Sequence, residues 1–336
     1  FGGAVLLSFA ATLYLAGAIR QAGHQVTFSD MTVTDDLGAL DAIIKQAEVV
    51  GIGCSSPLFA NAIEVMQRAR SVNPGVLCIS GGPHATVAPE DALRAGFDAV
   101  IVGEAETSAV EFLRRLENGE NWRGSPGLVV LDRDQVVHNP RAEFVQELDE
   151  LPFPARDLID QKAYARRNGY VSLFNTRGCP FKCRYCKPTQ DKLFGKKVRK
   201  RSAQNVVDEI DRVYREYGFK NYYFKDDTLL LCGQEWFEEF GAQLRRRDLK
   251  IEWFCLGRVD QIKLPLLESM KAAGLKAIAF GVETGSQRVL DFYDKGTTPD
   301  QARLAFRLCH QLGILTYAYI MMGAPVETEE DLEQTV

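Results

Sequence analysis

Three cysteines fall within eight residues as Cys179-Pro-Phe-Lys-Cys183-Arg-Tyr-Cys186. Thiolates this close in the chain can surround one metal centre, and their softness selects iron-sulfur or zinc chemistry. Structural zinc takes four protein ligands, yet the next cysteine is Cys232 and no histidine lies between Cys179 and His310. A trio without a fourth partner points instead to a four-iron cluster with one iron left open for a substrate-like ligand. A second set of candidates, Asp226, Asp227, Arg258 and Glu283, follows short apolar runs. A third set is small and glycine-rich: Ser55, Ser56, Leu58, Gly81, Gly82, Pro83, His84, Gly103 and Glu104. Glycines at such places let the backbone approach a large ligand.

Two alternating patterns of apolar runs and amphipathic helices position these residues. Over residues 1 to 142 the strand-like runs are Gln25 to Phe28, Val49 to Cys54, Val76 to Ser80 and Ala99 to Val102. Most are apolar throughout, as strands are when helices cover both faces, so this domain is expected to be a Rossmann-like, doubly wound parallel sheet. Ligands of such sheets sit outside the carboxyl ends of the strands, where the small residues gather. The Pro-bearing stretch Glu147 to Asp160 breaks the rhythm, and residues 143 to 168 are read as an ordered linker. From residue 169 to 336 a second alternation gives strands at Val171 to Asn175, Asn221 to Lys225, Glu252 to Gly257, Ala277 to Val282 and Tyr317 to Met321. Between the first two, Val206, Val207, Ile210, Val213, Tyr214 and Tyr217 share one helix face that Ser202 is placed to cap. This half reads as a partial β/α barrel truncated before its last strand, with its polar residues at the catalytic edge.

The chain has 336 residues, 46% of them hydrophobic and 25% charged, and a formal charge of -5. Sequence-independent nucleic-acid affinity needs a basic surplus, so no nucleic-acid partner is expected. Eight unevenly spaced cysteines do not make a secreted disulfide framework, and a reducing cytoplasm is the expected compartment. Phe1 to Ile19 carry no charge, but they are rich in Ala and Gly and run straight into Arg20, so a buried helix is expected rather than a membrane span. Residue 1 is Phe, and residue 336 falls just after the helix-start signal Thr328-Glu329-Glu330-Asp331, so the sequence is expected to be a fragment.

The CxxxCx(aromatic)C pattern after the first strand of a β/α barrel resembles the radical S-adenosylmethionine (SAM) enzymes. The upstream sheet resembles the cobalamin-binding class of that superfamily, which includes the class B methyltransferases. It does so through Gly81-Gly82-Pro83-His84-Ala85-Thr86, Val102-Gly103-Glu104-Ala105-Glu106-Thr107 and Leu151-Pro-Phe-Pro-Ala-Arg-Asp-Leu158. The resemblance implies a [4Fe-4S] cluster on Cys179, Cys183 and Cys186. Its open iron chelates SAM, and its electron cleaves the sulfonium to a 5′-deoxyadenosyl radical. The resemblance also puts Tyr185 beside the adenine and Asp226 and Asp227 where relatives meet the SAM amino group. Arg258 and Glu283 would contact its carboxylate and ribose, and Gly323, in Met322-Gly323-Ala324-Pro325, would lie near adenine. Cobalamin would lie on Ser55, Ser56, Leu58, Gly81, Gly82, Pro83, His84, Gly103 and Glu104. The Asp-x-His-x-x-Gly loop that supplies an axial histidine in many cobalamin domains is absent. Two readings stay open: cobalamin without a histidine ligand, or a sheet that no longer binds it.

Plainer roles stand beside these. Asp227 could cap a helix, and Glu283 with Arg258 could form an ion pair under a loop. His84 reads as a turn residue whose imidazole bonds a backbone carbonyl rather than as a ligand. Cys54, Cys78, Cys232, Cys255 and Cys309 read as core thiols. The run Lys196-Lys197-Val198-Arg199-Lys200-Arg201 reads as a solvated loop face rather than a phosphate or reductase contact. For the whole chain the resemblance implies a methyltransferase acting on an unactivated centre of a small molecule, served by a flavodoxin- or ferredoxin-type reductant. A radical cyclase, ring-contraction or rearrangement enzyme with the same cofactors is the rival, and a non-catalytic cobalamin or redox sensor is the reading from another class. A methylthiotransferase would need an amino-terminal three-cysteine site of its own, and only Cys54 and Cys78 precede residue 179.

Overall fold

The computed structural model describes residues 9–30, 36–187 and 189–336. They form two compact units: those within 9–146, 150–159 and 192–194 cluster as one, and those within 147–149, 160–191 and 195–336 as the other.

In the first unit, helices α1 (Phe9–Gln21) and α2 (Leu37–Gln46) precede β1 (Val49–Gly53). Then come α3 (Phe59–Val72), β2 (Leu77–Gly81), α4 (Gly82–Val87), α5 (Pro89–Ala95), β3 (Ala99–Ile101), α6 (Glu106–Glu117), β4 (Leu128–Asp132) and β5 (Gln135–His138). The strands lie side by side in that order. Strand period separates two cores. Cys78, Val100 and Val129 point to one face, packed with Leu40, Ile44, Met66 and Leu93 of α2, α3 and α5. Ile79, Ala99, Ile101, Leu128 and Val130 point to the other, packed with Leu15 and Ile19 of α1 and Phe112 of α6. Helices thus cover both faces, as the apolar runs required. β1, β2 and β3 are parallel. The remaining edge is an antiparallel hairpin that the sequence reading did not place. Its two-residue turn, Arg133 and Asp134, has φ of 44° and 66°, the left-handed pair that suits the twist of a hairpin.

One expected strand is corrected. Gln25–Phe28 lies outside the sheet, and its residues alternate exposed and half-buried instead of being apolar on both faces. Of the uncharged opening segment, residues 1–8 lie outside the described residues, and α1 buries Leu13, Tyr14, Ala16 and Ala18. No helix among the described residues is long and apolar enough to cross a membrane. The expected linker is also more structured than a spacer. Ala155 N–H donates to Leu13 O at 2.9 Å within the first unit, and Arg20 pairs with Asp157 at 2.7 Å. In the second unit Asp149 accepts from Ser202 N–H at 2.9 Å, and α7 (Gln161–Asn168) is a helix capped by Asp160.

The second unit continues with β6 (Val171–Leu173), the two-residue strand β7 (Thr176–Arg177), α8 (Thr189–Leu193), β8 (Arg199–Lys200) and α9 (Ala203–Tyr217). It ends through β9 (Asn221–Phe224), α10 (Gln234–Arg246), β10 (Glu252–Gly257), α11 (Leu264–Ala272), β11 (Leu275–Glu283), α12 (Gln287–Phe292), α13 (Pro299–Gln311), β12 (Leu315–Ile320) and α14 (Glu329–Glu333). The large sheet runs β6-β9-β10-β11-β12, parallel throughout. Residues of its helix-facing side, Tyr222, Phe224, Trp253, Cys255, Ile278 and Phe280, are buried with Val206, Val207, Ile210 and Val213 of α9 and with Trp236, Phe237 and Phe240 of α10. Each such fully buried Val or Ile contributes about 1.5–3 kcal/mol, which fixes α9 against the sheet. Ser202 Oγ accepts from Asn205 N–H, so the expected cap is present.

The basic run is corrected in part, since Lys196, Lys197 and Lys200 are exposed as expected while its arginines are not. Arg199 and Arg201 are 4% and 3% exposed. β8 pairs antiparallel with β7, and Arg201 is paired with buried Glu209 at 2.6 Å. The strand pairing and the inward carboxylate draw in cations that a charge run alone would leave in solvent.

Candidate functional site

β6 ends at Leu173, and the chain reaches Cys179 through Asn175–Gly178, a lead-in held from below by one side chain. Asp226, 1% exposed, accepts at Oδ1 from Asn175 N–H at 2.9 Å, from Thr176 Oγ1 at 2.7 Å and from Thr176 N–H. Thr228 Oγ1 adds a bond to Gly178 O at 3.1 Å. Further along, Cys179 N–H donates to Gly195 O at 3.2 Å and Arg184 N–H to Tyr293 O at 2.8 Å, while Cys186 N–H turns back to Cys183 O at 3.1 Å. The thiols are thus carried on a loop whose backbone is tied at both ends and in the middle. Cys183 is buried, and Cys179 and Cys186 are half-buried.

Burial pushes the Cys179 thiol up, and pushes Cys186 to about 11, with the Asp227 carboxylate and the neighbouring thiols adding to it. Among the described residues no three Cys, His, Asp or Glu side chains converge as ligands of a single ion. Two cations lie beside the loop, each with a carboxylate partner, Lys187 with Asp191 and Arg258 with Asp260. Lys187 Nζ donates to Cys179 O at 3.0 Å, and Arg258 Nη1 lies 3.3 Å from Cys183 Sγ.

Arg258, just past β10, is not paired with Glu283. It makes a two-pronged contact with Asp260 at 3.0 and 3.1 Å, donates to Lys295 O at 2.7 Å and lies 3.7 Å over the Phe181 ring. Glu283, at the end of β11, takes Lys295 as its partner. The 2.6 Å pair is buried, with side chains 5% and 8% exposed. Tyr185 completes a triangle, its hydroxyl donating to Glu283 Oε1 at 3.0 Å and accepting from Lys295 Nζ at 2.9 Å. Burial and the Glu283 charge push the Tyr185 phenol far above its ordinary range. Glu283 has φ of 69°, a left-handed backbone uncommon for a non-glycine residue. The β11–β12 register slips at this point, and the carboxylate folds back to where a Gly281 Cβ would stand, 2.5 Å from Oε1.

The remaining carboxylates separate. Asp226 is buried and turns its Oδ1 to the lead-in, and burial raises it to about 7. Its Oδ2 is buried without a partner, as is Asn175 Oδ1. Asp227 is exposed. It caps no helix; it accepts from Gln190 Nε2 at 2.6 Å and lines a pocket with Phe181, Thr228, Gly257 and Arg258. Gly323 N–H donates to Glu327 Oε2 at 2.6 Å in an exposed loop after β12.

In the first unit the strand ends are emptied rather than charged. Gly82, with φ of 86°, opens α4; a Cβ there would lie 3.2 Å from Cys54 O and 3.3 Å from Cys54 N. His84 does not bond a backbone carbonyl through its ring, as the plain reading had it. Its Nδ1 lies 3.1 Å from Ser56 Oγ and its ring 4.0 Å from that of Phe59. The backbone N–H of His84 takes Cys54 O at 3.2 Å. The preceding Gly-Gly-Pro turn brings the imidazole over the turn after β1, where the Ser56 hydroxyl is its hydrogen-bond partner. His84 Nε2 and the fully buried Ser80 Oγ have no partner. A glycine cradle with two orphaned polar atoms fits a ligand rich in hydrogen-bonding groups. Pro83 sits in the first turn of α4, Ser55 precedes the turn at Ser56–Leu58, and Leu58 packs on the apolar core. Gly103 N–H donates to Thr86 Oγ1 at 3.1 Å. Glu104 is buried and accepts from Val145 N–H at 3.2 Å, which anchors the chain after β5.

Cys54, Cys78, Cys232, Cys255 and Cys309 are all buried, as expected of core thiols. Sequence reasoning missed Lys295. It stands between Asp294 and Gly296, both with positive φ, in a turn whose composition normally signals a solvated lysine, so no local signal marks it.

A family model for the radical SAM superfamily matches residues 175–336, and one for the B12 binding domain matches residues 9–113. An uncharacterized methyltransferase of Pyrococcus horikoshii is 31% identical over 331 residues, covering 96% of this chain and 71% of that protein. An anaerobic magnesium-protoporphyrin IX monomethyl ester cyclase of Cereibacter sphaeroides is 30% identical over 338 residues, covering 96% of this chain and 54% of that protein. The chain thus spans only about half the length of the cyclase. The structure of the radical SAM methyltransferase TsrM from Kitasatospora setae, with cobalamin and a [4Fe-4S] cluster bound, superposes with a TM-score of 0.84 at 19% identity. It covers 97% of this chain and 66% of that one, a likeness of fold.

Proposed function

The chain belongs to the B12-binding radical SAM family, and from that membership we propose that it forms the core of a cobalamin-dependent methyltransferase acting on an unactivated centre of a small molecule. The reading is carried by the loop after β6, where Cys179, Cys183 and Cys186 are held with Arg258 against the Cys183 sulfur. In this reading the three cysteines hold a [4Fe-4S] cluster, and the turns Ser55–Leu58 and Gly81–His84, with Gly103, receive cobalamin. When bound, the cluster would supply single-electron reduction to SAM and cobalamin would supply methyl transfer.

The chain's own groups bind and orient. Lys187 and Arg258 offset the negative charge that three thiolates gather. Exposed Asp227 is the acceptor for the SAM amino group, and Gly323 lies in the loop for adenine. Glu283 with Tyr185 presents hydrogen-bonding oxygens for the ribose, kept in place by Lys295. Asp226 holds the lead-in of the cysteine loop and touches no cofactor. His84 steadies Ser56, and its free Nε2 meets an amide or phosphate edge of the corrin rather than cobalt.

A second reading is a cyclase or rearrangement enzyme using the same cofactors, favoured by the 30% identical cyclase relative. The electron donor is proposed to be a flavodoxin- or ferredoxin-type protein and the compartment a reducing cytoplasm. The test is anaerobic reconstitution with iron, sulfide and cobalamin, followed by reduction with SAM carrying a deuterated methyl. Four-iron and corrinoid bands, 5′-deoxyadenosine and deuterium in the product are expected. Product without deuterium would transfer the assignment to the cyclase class. Corrinoid bands without SAM cleavage would point to a sensor.

A further inference from the structure

Arg258 is committed in a way that suits neither a solvated ion pair nor a free carboxylate clamp. Its guanidinium has five N–H groups, and the contacts with Asp260, Lys295 O and Cys183 Sγ occupy four of them. The side chain is 11% exposed, and its face is covered by Phe181 at 3.7 Å. Asp260 and Lys295 O hold the far edge of the fork, so Nη1 has no freedom to leave the sulfur without breaking bonds elsewhere.

A hydrogen bond from a fixed cation to a cysteine sulfur acts more strongly on the more negative oxidation state of a cluster, because the added electron spreads onto the sulfurs. Hydrogen bonds to sulfur, net charge and solvent exposure are the levers that set cluster potentials, and in a water-poor site the charge is weakly screened. We propose that Arg258 is a positioning and tuning residue that raises the reduction potential of the cluster through its bond to Cys183 Sγ, an inference resting on the reading of Cys179, Cys183 and Cys186 as cluster ligands. Its contribution is thus made before SAM arrives, and it differs from the SAM-carboxylate contact that the sequence resemblance implies for this residue.

The test is a redox titration of the reconstituted full chain, followed by electron paramagnetic resonance, on the wild type, Arg258→Met, Arg258→Lys and Arg184→Met, with iron content measured in each. Arg184 is the control because it lies in the same loop but places its guanidinium 5.6 Å over Phe292, with its backbone on Tyr293 O. Arg258→Met is expected to load iron fully and to lower the potential by at least about 59 mV, a tenfold weaker one-electron reduction. Arg258→Lys, which keeps the charge but not the fork, is expected between Met and wild type, and Arg184→Met close to wild type. An Arg258→Met potential equal to wild type at full iron content overturns the proposal, as does an equal shift in Arg184→Met, which would make it a matter of bulk charge. If Arg258→Met fails to load, Arg258→Lys decides: a lowered potential supports the proposal, and an unchanged one overturns it. A wild-type protein with no four-iron signal overturns the cluster reading and this inference together, which separates the two failures.

Discussion

The two sets of strand ends solve the problem of holding a ligand in opposite ways. In the first unit, Gly81, Gly82 and Gly103 withdraw side chains, and the polar atoms nearby, Ser80 Oγ and His84 Nε2, are left without partners. In the second unit, Asp226, Arg258, Glu283 and Lys295 crowd the strand ends, with Glu283 paired to Lys295, Arg258 to Asp260, and Asp226 held by Asn175 and Thr176. The first arrangement leaves backbone and room for a large ligand. The second builds a charged frame in which the loss of Lys295 or Asp260 would strand its partner's charge in a buried place.

That contrast can be broken most forcefully at Lys295. Lys295→Met leaves Glu283 buried and unpaired, and a loss of roughly 3–5 kcal/mol is expected in urea unfolding of the ligand-free protein. The double variant with Glu283→Gln should recover most of it. A single variant as stable as wild type would mean that the frame is not self-supporting.

Next in size is the pH dependence carried by Asp226. Its carboxyl is raised from 3.8 to about 7 by burial, so below about pH 4 it is protonated both folded and unfolded and costs nothing. As pH rises from about 4 to about 7 the unfolded chain ionises first, and stability falls by roughly 2–4 kcal/mol before levelling off. Asp226→Asn keeps the acceptor for Asn175 and Thr176 and should flatten that slope in thermal melts at several pH values. An unchanged slope would assign it to other groups.

A smaller effect is expected in the glycine cradle. Gly82→Ala places a methyl against the Cys54 peptide at positive φ, for a cost of about 1–3 kcal/mol and weaker corrinoid binding in absorbance titrations. Least of all, Ser80→Ala removes an orphaned hydroxyl and should leave the ligand-free protein within about 1 kcal/mol of wild type or slightly more stable. It should still loosen the corrinoid complex. A clear destabilisation of the ligand-free protein would mean that Ser80 serves the fold and not a ligand.

Much of this was legible in the residues. Apolar runs announced β1, β2, β3 and the five parallel strands of the second unit; burial accounts for that composition in β2, β3 and β11, whereas β12 keeps its apolar residues largely exposed. The cysteine spacing announced the loop. The misses share a cause, since each depends on which neighbours the folded chain supplies and not on residue type. Arg199 and Arg201 look solvated until β7 and Glu209 claim them. Lys295 looks like a turn residue until Glu283 is folded back by its own left-handed backbone. Arg258 and Glu283 read as natural partners by charge, and only the fold decides that Asp260 and Lys295 take them instead. Gln25–Phe28 has strand composition, but strand composition does not supply a neighbour.

The words Gly281-Val282-Glu283 act as a single mechanical piece. A Cβ on residue 281 would stand 2.5 Å from Glu283 Oε1 and 2.9 Å from Lys295 Nζ, so the bare backbone at one position makes room for the carboxylate two residues on. Anyone assembling chimeras from relatives should therefore keep these three residues and Lys295 on the same parental block. A crossover point placed among them would splice a glycine from one parent to a frame that the other had shaped, and the hybrid would lose its charged corner without any change at a cysteine.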